Sequence, residues 1–196
     1  MRISGGDARG IPLEVPKGDR VRPATDGMRQ AVFSSLAAFV PGATFLDLFA
    51  GSGAYGLEAL SRGAAGGVFV ERDPKALACL RRNVASVSRS LGTARITAGA
   101  VEIRPGDACQ PGLTGTGQVP DLVFVDPPYE LIEEVAPLLF ARLADLLAPK
   151  PEAIVAFEYP GEITLNPPGW VLVKRIGKGA RQPTVGFFRP VPRAEN

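Results

Sequence analysis

Asp126, Pro127, Pro128 and Tyr129 stand directly behind an apolar run in the stretch DLVFVDPPYE. Neither proline has an N–H, so the turn cannot donate from those positions. Asp126 and the Pro127 carbonyl supply two acceptors, matching the two N–H bonds of a buried exocyclic amine. The Tyr129 ring offers a face on which a flat base can stack, a contact worth about 1–3 kcal/mol in single-strand binders. The chemistry that suits this group is the holding of an aromatic amine in one fixed orientation.

A second set lies upstream. The stretch TFLDLFAGSGAYGLEAL carries Asp47, Gly51 and Gly53, and glycine lets the backbone approach a ligand where any side chain would block it. Glu71 ends the next apolar run, where a carboxylate can bridge ribose hydroxyls. Asp107, followed by Ala108 in the segment GDA, can accept from an adenine amino group. Together these residues describe a cradle for a nucleoside-type cofactor. GSGAYG also satisfies the GxGxxG pattern through Gly56, so this feature alone leaves a nicotinamide dinucleotide open. The amine-holding turn discriminates, because a hydride-transfer enzyme has no evident use for it.

The remaining inventory removes other chemistries. The 196 residues include no histidine, which excludes Ser-His-Asp and Cys-His pairs and the imidazole base. Cys79 and Cys109 are far apart and lack CxxC spacing, so neither a disulfide framework nor a metal site is expected. No apolar run approaches the ~20 residues of a membrane-spanning helix, and the N-terminus has no signal-peptide block. A cytoplasmic protein with no membrane partner is expected. The net charge of +2 hides an acidic centre between two basic flanks, a balance that fits ordinary solubility more readily than nucleic-acid binding.

The elements that must position these residues are legible. Hydrophobic residues make up 45% of the chain, enough to bury the core of one α/β unit. Thr44 to Phe49 reads as a buried strand, followed by the Gly-rich turn and a helix from about Tyr55. The next strand ends at Glu71, and Asp73 and Pro74 have the character of an N-cap and first helical residue. Leu77, Leu80, Val84, Val87 and Leu91 recur at helical spacing and form the inward stripe of that helix. Further strands lie in AVEIRPGDA, DLVFVD and AIVAFEY, with helical ELIEEVAPLLFARLADLL before the last. Alternation of this kind predicts a Rossmann-like, doubly wound sheet with helices on both faces. The tail WVLVKRIGKGARQPTVGFFR reads as an antiparallel hairpin at the sheet edge, giving a mostly parallel sheet of seven strands. Ligands bind such sheets beyond the carboxyl ends of the strands, where both candidate sets fall.

At this point the sequence resembles a known family. DLFAGSGAYGLEALSRG, VFVERD, GDA and DLVFVDPPYE are similar to the motifs of class I S-adenosylmethionine-dependent amino methyltransferases. RISGGDARGIPLEVP and VRPATDGMRQAVFSSL resemble one branch, the RsmD-type 16S rRNA guanine-N2 methyltransferases. The resemblance implies S-adenosylmethionine beside Asp47, Gly51 and Gly53, its ribose on Glu71, its adenine near Asp107 and Ala108, and guanine at Asp126 to Tyr129. It also implies a monomer acting on 16S rRNA or the small ribosomal subunit. Adenine-N6 and other amino methyltransferases use related turns, and a non-catalytic RNA-binding assembly factor is a further alternative.

Residues 1–40 are expected to form an RNA-contacting hairpin and helix ahead of a methyltransferase domain over 41–196. Arg2, Arg9, Arg22 and Arg29 are the expected phosphate contacts, with Thr25 or Asp26 capping a helix that turns Met28, Val32, Leu36 and Val40 inward. Gly27 and Gln30 stand where the family pattern carries Arg and Glu, and Ile11-Pro12 where basic residues are common. Lys174, Arg175, Lys178 and Arg181 in the tail offer compensating contacts.

Overall fold

A computed structural model describes residues 1–16, 25–92, 101–110, 112, 117–177, 179–180 and 182–192. In chain order the elements are α1 (Thr25–Ser35), β1 (Thr44–Leu48), α2 (Ala54–Ser61), β2 (Gly66–Glu71), α3 (Pro74–Gly92), β3 (Val101–Pro105), β4 (Leu122–Val125), α4 (Ile132–Leu146), β5 (Ile154–Pro160), β6 (Trp170–Ile176) and β7 (Pro183–Pro190). A single 3-10 turn, Tyr129–Leu131, leads into α4.

The strands form one sheet in the order β3-β2-β1-β4-β5-β7-β6. The five strands from β3 to β5 pair in parallel, and β7 is antiparallel to both β5 and β6. The expected tail hairpin is therefore present with its second strand tucked inward and β6 at the edge. The chain builds outward from β1 to β3, then returns to lay β4 on the other side of β1. That reversal opens a crevice at the carboxyl ends of β1 and β4.

Strand alternation assigns the two faces. Phe45, Phe69, Phe124 and Ala156 join one core with residues of α1, α2 and α3. Leu46, Val70, Val125 and Phe157 join the other, with α4. The N-cap expected for α3 is formed, as the Ala76 amide donates to Asp73 Oδ2 at 2.7 Å, and Leu80, Val87 and Leu91 of its predicted stripe are buried.

The N-terminal segment folds back on itself, with Ile3 and Ile11 hydrogen bonded and an Arg2–Pro12 bridge. Ile3 and Leu13 enter the same core as α2 and α3. Asn83 of α3 fastens the segment to the Gly-rich turn. Its Nδ2 donates to the carbonyls of Glu14 and Ser52, both at 2.9 Å, and its Oδ1 accepts the Glu14 amide at 2.8 Å.

Candidate active site

Register places the acids in a row. Leu48 is level with Val70 and with Val125, and Val125 is level with Phe157. One step further on, Glu71, Asp126 and Glu158 therefore stand at the same height along the sheet. Each lies two residues beyond an inward-facing residue, Phe69, Phe124 or Ala156, so alternation puts all three on one face. Asp47 shares that face, two residues after Phe45. All four acids line one cavity of about 890 Å³, together with Phe49, Gly51, Ser52, Tyr55, Ala108, Pro127, Pro128 and Arg29.

The turn between β1 and α2 is tightly wound. Phe49, Gly51 and Gly53 have φ of 59°, 54° and 81°. At Gly53 a Cβ would lie 2.5 Å from Leu80 Cδ1, so a larger residue would displace the Leu80 side chain and also have to adopt a left-handed backbone. Gly51 faces open space, where a Cβ would meet nothing closer than the Phe49 carbonyl at 3.9 Å. Phe49 adopts a left-handed backbone that is uncommon for a bulky residue, and it lines the cavity.

The first two acids grip backbone. Asp47 is 2% exposed, and its Oδ2 accepts the Gly56 amide at 2.9 Å. Burial pushes its carboxyl up to about 8; the Gly56 hydrogen bond opposes the rise and the negative Glu71 adds to it. Glu71 accepts the Gly51 amide on Oε2 and the Arg72 and Asp73 amides on Oε1, all at 2.7 Å.

Asp107 sits two residues past the end of β3. Its Oδ1 accepts the Cys109 amide at 2.9 Å, and its Oδ2 pairs with Arg72 Nη1 at 3.1 Å. The Cys109 hydrogen bond, aided by Arg72, holds its carboxyl below the usual range. The neighbouring Gly106 and Ala108 face the cavity with Arg72.

At the other end of the cavity Asp126 and Pro128 are exposed, and Pro127 is buried. Tyr129 is half-buried and packs against the core cluster that contains α4. Its hydroxyl donates to Glu158 Oε1 at 3.3 Å, while the Tyr55 hydroxyl donates to Glu158 Oε2 at 2.8 Å. Tyr55 stacks on Phe124 with centroids 5.4 Å apart. Burial first, then the charges of Glu158 and Asp126, push its phenol well above the ordinary value, so it remains a donor.

Glu158, 7% exposed in a strand otherwise without charge, and Tyr55 are site residues that motif reading misses. The signal for Glu158 is the one that marks Glu71 and Asp126, an acid closing an apolar run.

The expected RNA contacts divide. Arg2 and Arg9 are exposed. Arg29 is not, and the expectation that it meets a phosphate on the surface is corrected. It is 2% exposed, with Nε at 3.2 Å from Glu58 and Nη2 at 2.9 Å from Asp26 and also on the Arg2 carbonyl. A guanidinium so engaged stabilises the joint between α1 and α2. Asp26 lies within the first turn of α1 and pairs with Arg29 in place of the expected capping role. Thr25 opens α1. Arg22, Lys178 and Arg181 lie outside the described residues.

Comparison with known proteins identifies relatives over most of the chain. The family described as conserved hypothetical protein 95 matches residues 1–185. The protein named Ribosomal RNA small subunit methyltransferase D of Escherichia coli (strain K12) is 40% identical over 141 residues, which are 71% of this chain and 66% of that one. The protein of the same name from Haemophilus influenzae is 30% identical over 91% of this chain and 89% of its own. The solved structure of the Escherichia coli yhhF protein superposes with a TM-score of 0.75 at 33% identity, covering 98% of this chain and 99% of that one. By motif, fold and extent of match, the chain belongs to the conserved hypothetical protein 95 family, the RsmD-type methyltransferases.

Proposed function

We propose that this protein transfers a methyl group from S-adenosylmethionine to the exocyclic N2 amine of a guanine in small-subunit rRNA. The observation that carries the reading is the row of carboxylates at the switch point, where Glu71 and Asp126 line one cavity from opposite sides of β1. When bound, S-adenosylmethionine supplies an electrophilic methyl group on a sulfonium.

The residues present suit such a ligand. Gly51 leaves the backbone open toward the cavity, Asp47 lines it close by, and Glu71 offers a carboxylate to a ribose diol. Asp107 and Ala108 bound the adenine end. A guanine amine is a poor nucleophile because its lone pair is delocalised into the ring, so orientation and electrostatics dominate its reactivity. Asp126 and the Pro127 carbonyl accept its two N–H bonds, and the Asp126 charge favours the positive charge that the nitrogen gains. Pro128 and Tyr129 complete the turn that fixes Asp126.

In this reading residues 1–40 form the RNA-contacting part, with Arg2 and Arg9 toward phosphates, and 41–196 form the methyltransferase domain. The protein works in the cytoplasm as a monomer on 16S rRNA or the assembling small subunit. The test is radiolabelled methyl transfer from S-adenosylmethionine to small-subunit rRNA, followed by nucleoside analysis. Label in N2-methylguanosine is the expected result. Label in N6-methyladenosine, or none, would overturn the assignment.

A further inference from the structure

Glu158 has no part in the chemistry assigned above, yet it occupies the same cavity as Asp126. We infer that Glu158 is the residue that selects the base, its carboxylate accepting the N1–H of guanine while Asp126 takes the neighbouring amine. This inference rests on the guanine-N2 reading.

Placement is the first argument. Val125 and Phe157 are level on adjacent parallel strands, so Asp126 and Glu158 stand side by side, about 4.8 Å apart at the backbone. Both follow inward-facing residues, Phe124 and Ala156, by two positions and face the same way. Guanine presents N1–H and an N2 hydrogen next to each other on one edge. Two adjacent carboxylates match two adjacent donors.

Electrostatics is the second. Two acids side by side repel, and Glu158, buried beside the exposed Asp126, carries the added cost of burial. The fold supports Glu158 with two hydroxyls, one on each oxygen, from Tyr55 on α2 and Tyr129 in the substrate turn. A carboxylate has about four acceptor sites, so these two hydroxyls do not by themselves exhaust it. Adenine has an unprotonated N1 and would set its lone pair against the carboxylate. A pocket built this way takes guanine and refuses adenine, because an unmatched buried polar group is costly.

The test uses the full chain and a small-subunit rRNA fragment carrying the methylated guanine, synthesised with guanine, inosine or 2,6-diaminopurine at that position. Inosine lacks the N2 amine. Diaminopurine keeps it but has no hydrogen on N1. The wild type is expected to methylate guanine, to leave inosine unlabelled, and to act on diaminopurine with kcat/KM lower by about tenfold or more. In Glu158→Gln the side-chain amide can donate to an unprotonated N1, so the ratio of diaminopurine to guanine should rise by about tenfold or more. Thermal unfolding and S-adenosylhomocysteine binding establish that the variant is folded.

An unchanged ratio in folded Glu158→Gln would overturn the inference and leave the guanine-N2 reading standing. If the variant does not fold, the wild type decides, because equal rates on guanine and diaminopurine overturn it as well. Label on inosine, or no label on guanine, appears in the wild type before any variant is made and overturns the underlying reading. Tyr55→Phe and Tyr129→Phe provide a further arm. Each should lower the rate yet keep guanine preferred over diaminopurine, and loss of that preference would assign base selection to the hydroxyls.

Discussion

The Gly51 amide donates to Glu71 Oε2 at 2.7 Å, joining the turn after β1 to the end of β2. The same carboxylate holds the Arg72 and Asp73 amides at the start of α3. Glu71 thus shapes the cavity wall as well as lining it. Glu71→Ala should weaken S-adenosylhomocysteine binding by about tenfold or more and lower stability by about 1–3 kcal/mol, since three amides lose their acceptor. Calorimetric titration and urea unfolding measure the two effects, and unchanged affinity would remove Glu71 from the cofactor site.

Asp126 is exposed at the opposite end of the cavity, and its proposed partner is the substrate amine. Asp126→Ala should abolish single-turnover methyl transfer while S-adenosylhomocysteine affinity stays within about twofold, the pattern of a group that acts on the reacting amine alone. Wild-type single-turnover rates in this variant would sink the assignment.

Asp47 imposes a pH dependence on stability. Burial raises its carboxyl to about 8 in the folded protein, so its contribution is fully present below its unfolded value near 3.8 and is lost as pH rises through about 8. The slope across that window is at most about 1.4 kcal/mol per pH unit, the value for one proton. Asp47→Asn keeps an oxygen for the Gly56 amide and removes the titration. Its stability relative to wild type, from urea midpoints at several pH values, should increase steadily from acid to alkaline conditions.

Arg9 and Arg29 separate surface chemistry from core chemistry. Arg9 is exposed on the N-terminal segment, and Arg9→Glu should weaken rRNA binding and reduce the salt slope by about one while leaving the melting temperature unchanged. Arg29 is buried against Glu58 and Asp26, so Arg29→Ala should cost about 3–5 kcal/mol of stability. Equal melting temperatures for the two variants would contradict the burial of Arg29.

The doubly wound sheet was legible because its strands are apolar runs that end in acids and alternate with periodic helices. The ends of β2 and β4, at Glu71 and Asp126, could be named for the same reason. Glu158 escapes the sequence because AIVAFEY resembles no motif and its place in the site depends on β5 lying beside β4, a neighbour relation that appears only once the sheet is assembled. Arg29 reads as a surface residue because its partner Glu58 lies on another helix, and no local pattern links the two. Tyr129 is legible for its ring, whereas its hydroxyl contact with Glu158 depends on the assembled sheet.

The three hydrogen bonds of Asn83 have a consequence for the order in which the protein can assemble. During synthesis Ile3 and Leu13 emerge long before Asn83, yet the Glu14 backbone finds its partners only on α3. The rest of the segment has partners made earlier, as Ser4 bonds to Glu58 and Ala8 to Ser61 on α2, so Glu14 is the part secured last. When α3 docks, Asn83 secures Glu14 and the Ser52 carbonyl together. The end of the N-terminal segment and the glycine turn are then fastened by one side chain, although the two were made at different times.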